Sequence, residues 1–229
     1  MSLYFALLLF SVAVPFLLSF DKRLRFYKKW KYVLPSIFIV AAVYIAFDIY
    51  FTKLGVWGFN PRYLSGIFLF HLPIEEWLFF IIIAYASLFL HFSIIEYFPG
   101  AKVGKKWTKR ITILLFVLSI FMVFVFHDKM YTVYISLTTA VALALAYIDK
   151  SQTIATFYIT FLVILIPFLV VNGILTGSFI ESEVVWYSND ENLGIRFFTI
   201  PIEDFAYGFS LILYNLLLIN SMKTQLFNK

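Results

Sequence analysis

The 229-residue sequence contains no cysteine, which excludes disulfides, thiolate nucleophiles and Cys-ligated zinc or iron. Charge is also scarce, at 14% Asp, Glu, Lys and Arg against about a quarter in an ordinary soluble domain. Gly-x-Gly-x-x-Gly after a strand, a Walker loop and an Asp-rich pyrophosphate motif are all missing. Flavin, nicotinamide, nucleotide and prenyl-diphosphate chemistry therefore lack support, and no cofactor is expected. The last apolar run, 199–220, has no lysine, which argues against a retinal Schiff base.

What is present is apolar: 62% hydrophobic residues, with 29 Phe and 15 Tyr raising aromatics to 21%. Water is a poor solvent for such a chain. A bilayer core takes about 20 apolar residues per helix, and runs near 3–19, 32–52, 72–93, 111–126, 131–148, 153–176 and 199–220 meet that need. The expectation is an all-α integral membrane fold of about seven transmembrane helices. The runs at 111–126 and 131–148 are separated only by His127 to Met130, so a hairpin of short helices is an alternative there. The first run lacks a preceding basic region and a small-residue cleavage site, and reads as a retained helix.

The net charge of +5 does not sit on a water-facing domain, so nucleic acid is not an expected partner. Its placement orients the chain instead. Fourteen basic residues, among them Lys22 to Lys31, Lys102 to Arg110, Lys150, Lys223 and Lys229, fall on one side. Only Lys53, Arg62, Lys129 and Arg196 fall on the other. The bias puts the N-terminus outside and the C-terminus in the cytoplasm, as expected in a bacterial inner membrane.

The chain also repeats itself. Gly66-Ile-Phe-Leu-Phe-His-Leu-Pro-Ile-Glu-Glu76 aligns without gaps, 128 residues on, with Gly194-Ile-Arg-Phe-Phe-Thr-Ile-Pro-Ile-Glu-Asp204, identical at six of eleven positions. Asp21-Lys22 matches Asp149-Lys150 at that offset, while Trp57 and Asn60 match Trp186 and Asn189 at 129, a one-residue slip. Four helices separate equivalent points, so the two copies run in the same direction. A single membrane domain (1–229) is expected, built from two parallel three-helix repeats at about 1–98 and 128–229 with a connecting helix at about 99–127.

Four acids carry the candidate chemistry: Glu75, Glu76, Glu203 and Asp204. Proline and acids at a helix start are an ordinary capping signal, but two matched copies with paired acids point to a site. Acids gathered in an apolar setting share protons unequally, so one can serve as general acid and another as base. Asp48 and Asn172 sit in the outer halves of their spans, as site residues or interhelical hydrogen-bonders. Asn60 and Asn189 suit either a site or a turn, and Arg196 either a counter-ion to the second acid pair or a snorkelling side chain. Trp77 and Phe205 are supporting candidates, since aromatic faces near the acids can stabilise a cation, and Trp186 is a further one as the repeat's match to Trp57. No metal is expected: His71, near Glu75, has Thr199 in its place in the second half, and His91 and His127 lie elsewhere.

Leu72-Pro-Ile-Glu-Glu-Trp-Leu-Phe-Phe80, Asn172-Gly-Ile-Leu-Thr-Gly177, Val184-Val-Trp-Tyr-Ser-Asn189 and Thr199-Ile-Pro-Ile-Glu-Asp-Phe-Ala-Tyr-Gly-Phe209 together resemble the small integral-membrane lycopene cyclase domain, across nearly the whole chain. That domain occurs as paired or fused bacterial subunits and in bifunctional fungal enzymes. The resemblance implies a fused form acting on lycopene or a related linear carotenoid, whose ends become six-membered rings without net redox. It implies other carotenoid enzymes as possible partners beside the lipid bilayer. Two other readings fit the same features: a proton- or ion-coupled transporter, and a non-catalytic carotenoid-binding subunit.

Overall fold

The computed structural model describes residues 1–149 and 151–227. Lys150 and Lys229, two of the fourteen basic residues expected on one side, lie outside the described residues, as does the Lys150 half of the Asp149-Lys150 match. Among the described residues there are seven α-helices: α1 (Leu3–Leu18), α2 (Trp30–Leu54), α3 (Ile74–Tyr97), α4 (Lys105–Val125), α5 (Met130–Ile148), α6 (Thr153–Leu175) and α7 (Ile202–Phe227). Helices α2 to α7 are each long and apolar enough to cross a bilayer. The protein is an integral membrane protein. Helix α1 has 16 residues, or about 24 Å at 1.5 Å per residue, and Ser2 caps it by accepting from the Phe5 amide.

The runs near 111–126 and 131–148 are two full-length helices, α4 and α5, of 21 and 19 residues. Helix α4 begins earlier than hydropathy suggested, because its basic first turns continue the helix toward the polar boundary. Its outer face, including Leu114, Val117, Phe121 and Phe124, is exposed, which suits a peripheral connector packed along α5.

Packing follows the repeat. Helix α1 packs on α3 as α5 packs on α7; α2 meets α7 as α6 meets α3; and α2–α3 contacts are mirrored by α6–α7. A short ladder joins the halves, strand β1 (Trp57–Phe59) running antiparallel to β4 (Val185–Tyr187) with Gly58 opposite Trp186. The Asn60 amide donates to the Val184 carbonyl at 2.8 Å, and 128 residues on, the Ser188 amide donates to the Val56 carbonyl at 2.9 Å. The ladder thus keeps the 128-residue offset, and the one-residue slip inferred from the tryptophans is corrected. Trp57 corresponds to Val185 and Asn60 to Ser188, because a slip of one would turn every strand side chain to the opposite face.

Each repeat then forms a small hairpin before its last helix: β2 (Phe68–Leu69) with β3 (Leu72–Pro73), and β5 (Arg196–Phe197) with β6 (Ile200–Pro201). Gly66 and Gly194 enter these hairpins at φ of 84° and 68°, a region that a side chain disfavours. The Ile74 and Ile202 amides close them by donating to Ile67 and Ile195. The hairpins set the rotation at which α3 and α7 begin, and so where their acids point.

Candidate functional site

The acids of each Pro-Ile-Glu-acid element lie in the first helical turn after the hairpin, and adjacent helix positions differ by about 100° around the axis. Glu76 and Asp204 turn inward. Both are buried and line one cavity of about 580 Å³ between the repeats, together with Asp48 from α2. Glu75 and Glu203 are buried too, but they do not line the cavity.

The outer acids hold the chain entering their helices. Glu75 Oε1 accepts from Ser2 Oγ at 2.8 Å and from the Ser65 amide at 2.6 Å. Glu203 Oε1 accepts from Thr132 Oγ1 at 2.7 Å and from the Leu193 amide at 2.8 Å. In both copies one carboxylate oxygen ties the start of the repeat's first helix to the loop ten residues before the acid.

The inner acids are held by phenols. Tyr4 donates to Glu76 Oε2 at 2.6 Å. Asp204 accepts three bonds, from Tyr131 at 2.5 Å, from Asn172 Nδ2 at 2.9 Å and from Tyr187 at 3.1 Å. Asp48 Oδ1 accepts from the Trp57 indole at 2.6 Å and more weakly from Thr52 at 3.4 Å, while its Oδ2 is buried without a partner. Burial first, and the Asp204 carboxylate second, hold the Tyr187 phenol well above its usual value, so it remains a donor. Among the described residues lining the cavity there is no Lys, Arg or His. Apart from Ser11, Ser87 and Asn172, the remaining wall is apolar and aromatic, and includes Phe59, Phe79, Tyr207 and Leu211.

The family profile described as Lycopene cyclase matches residues 1–98 and 128–222, both repeats without α4. The chain belongs to the lycopene cyclase family. No curated protein and no solved structure matches it. Family membership makes a carotenoid cyclase role the general function of this two-repeat chain.

The other residues singled out from sequence fall in two places. Asp48 and Asn172 belong to the cavity. Trp77, Phe205, Trp186, Asn60, Asn189 and Arg196 do not line it. Trp77 donates to the Leu69 carbonyl within its hairpin, and Phe205 packs against Phe168 and Phe197. Asn60 accepts from the Arg62 amide and donates to Ser182, holding a turn. Arg196 donates to Asn189 Oδ1 and the Thr199 carbonyl, each at 3.0 Å, so it braces the second hairpin and its neighbouring loop instead of pairing with Glu203. His71 is exposed in the first hairpin turn, and His91 is buried against Thr160. No group of three or more His, Asp or Glu among the described residues is placed to hold a metal ion.

Tyr4, Tyr131 and Tyr187 were missed from sequence. The available signal was a tyrosine near the N-terminus of the first helix in each repeat, Tyr4 and Tyr131, which lie 127 residues apart, one short of the repeat offset.

Proposed function

We propose that this protein cyclises the ends of lycopene or a related linear carotenoid to ionone-type rings by proton-initiated carbocation chemistry. The observation carrying this is the unequal support of carboxyls in one apolar, cation-free cavity: one donor at Glu76, three at Asp204. Three carboxyls cannot all ionise side by side away from water. Asp204, the best-solvated by protein donors, is the carboxylate, and Glu76 keeps the proton.

Glu76 delivers its proton to the terminal trisubstituted double bond of the polyene, leaving a tertiary cation. The neighbouring alkene attacks that cation, forming the ring carbon–carbon bond and a second tertiary cation. Phe79, Tyr207 and the cavity's other rings face this charge. Asp204 removes the adjacent proton, and the ring double bond forms. One proton enters and one leaves, so the reaction is an isomerisation without redox. The Asp48 carboxyl, which lines the same cavity, provides the acceptor through which the proton is redistributed for the next turnover. Exclusion of water keeps the cation from becoming an alcohol.

The charge bias supports placement in a bacterial inner membrane with the N-terminus outside. The acid ends of α3 and α7 then lie at the non-cytoplasmic face. We assign one membrane domain, with the repeats at about 1–98 and 128–229 and the connector at about 99–127.

The test is expression in a lycopene-accumulating bacterium, followed by pigment separation and mass analysis. Cyclic products of unchanged mass support the reading, and conversion of preformed, unlabelled lycopene by isolated membranes in deuterated water should place one deuterium per ring, at the carbon that Glu76 protonates. Unaltered lycopene in cells holding correctly inserted protein would overturn it.

A further inference from the structure

The cavity extends well beyond the acids. Its wall on α3 runs from Glu76 to Leu90, and on α6 from Leu175 to Phe161, about 21 Å in each case at 1.5 Å per residue. A linear carotenoid is about as long as the ~30 Å hydrocarbon core. With one end at the acids, part of the polyene must therefore leave the cavity.

Among the described residues, the exposed part of the cavity wall lies on one side. Five cavity-lining residues are also exposed on the molecule's apolar flank: Phe10 at 75% and Val14 at 59% on α1, and Ile166 at 65%, Pro167 and Val170 at 54% on α6. Toward the acid end these helices close on each other, Tyr4, Leu7 and Leu8 meeting Val171 and Leu175. Farther along, Pro15 and Pro167 line the same opening, each removing one amide donor from its helix.

The corresponding seam of the other repeat, between α5 and α2, is filled. The Tyr134 ring centre lies 4.7 Å from that of Phe47 and 4.9 Å from that of Phe51. Tyr214 from α7 donates to the Thr138 carbonyl in the same region. Phe38 and Ala42, the counterparts of Ile166 and Val170 at the 128-residue offset, are exposed but do not line the cavity. Among the described residues, the duplication has therefore left an opening at one of its two matching seams and a filled seam at the other.

We propose that the gap between α1 and α6 is a lateral portal from the bilayer. A linear polyene enters it end first, and its unreacted remainder rests there while the leading end meets Glu76 and Asp204. The proposal rests on the cyclase reading for the substrate, and its geometry predicts one ring formed per entry.

A diazirine-bearing amino acid introduced at Val14 or Val170, illuminated in lycopene-containing membranes, should become attached to the polyene, whereas the same residue at Phe38 or Ala42 should not. In parallel, Val170→Trp should slow conversion about tenfold or more by obstructing approach to the acids, with Ala42→Trp unchanged. Attachment to phospholipid acyl chains alone at Val14 and Val170, or equal labelling of both seams, overturns the portal. Absence of cyclic product from the unmodified protein would instead sink the cyclase reading, while labelling still reports whether polyene occupies the gap.

Discussion

The Tyr4 hydroxyl donates to Glu76 Oε2 at 2.6 Å, so the short first helix carries the single side-chain donor, among the described residues, of the acid proposed to protonate substrate. Removing it in Tyr4→Phe should lower turnover about 10- to 100-fold, the range for one hydrogen bond to an ionisable group. Tyr131→Phe leaves Asp204 two of its three donors and should cost less. Product formation in purified proteoliposomes checks both, and a larger loss in Tyr131→Phe would reverse the assignment of acid and base.

The two acids of each element should separate by the kind of damage their substitutions cause. Glu76→Gln and Asp204→Asn are expected to fall by about 1000-fold or more, since general acid or base catalysis and cation stabilisation are lost together. Glu75→Gln and Glu203→Gln keep an acceptor oxygen toward Ser65 and Leu193. They should retain most turnover while losing about 1.5–3 kcal/mol of stability, as expected when a hydrogen bond to a charged group is weakened. Thermal unfolding in detergent, read beside turnover, separates the two effects.

The helices were legible because a bilayer leaves few ways to satisfy a backbone, and long apolar runs report it directly. The duplication was legible in Gly66 to Glu76 and Gly194 to Asp204, where hairpin, proline and acids each impose a residue type. Which acid of a pair faces inward was not legible, because Glu75 and Glu76 are neighbours on a helix and only packing fixes its rotation. Tyr4 and Tyr131 were hidden for another reason: a phenol near the end of an apolar helix reads as an interfacial aromatic. The tryptophan match was misleading, since Trp57 is buried beside Asp48 while Trp186 lies half outside on the opposite side of the ladder.

On the basic face, Asp21 accepts from the Leu24 and Arg23 amides at 2.8 and 2.9 Å, shaping the loop between α1 and α2. The Leu24 amide first, then those of Arg23 and Lys22 with the Tyr97 hydroxyl, hold its carboxyl below the usual range. A lowered folded value means that this support is present above the ordinary Asp value of about 3.9 and is lost as pH falls through the lower folded value. Amide exchange at Arg23 and Leu24, after correction for intrinsic pH dependence, should rise only in that acidic window. Asp21→Asn should remove this pH dependence.

Gly58 sits opposite Trp186 at the centre of the ladder that joins the repeats, and the Trp186 indole occupies the space where a Cβ would lie. Gly58→Val must therefore push the ring or the strand aside. Overpacking of this kind costs about 1–3 kcal/mol. Its consequence should reach the cavity, because Trp57 holds Asp48 and Tyr187 holds Asp204 from the same two strands. The expected outcome is a lower unfolding temperature together with reduced turnover. Gly58→Val with Trp186→Ala, which clears the space, should recover much of both. Recovery of stability without turnover would mean that the ladder joins the halves but does not position the acids.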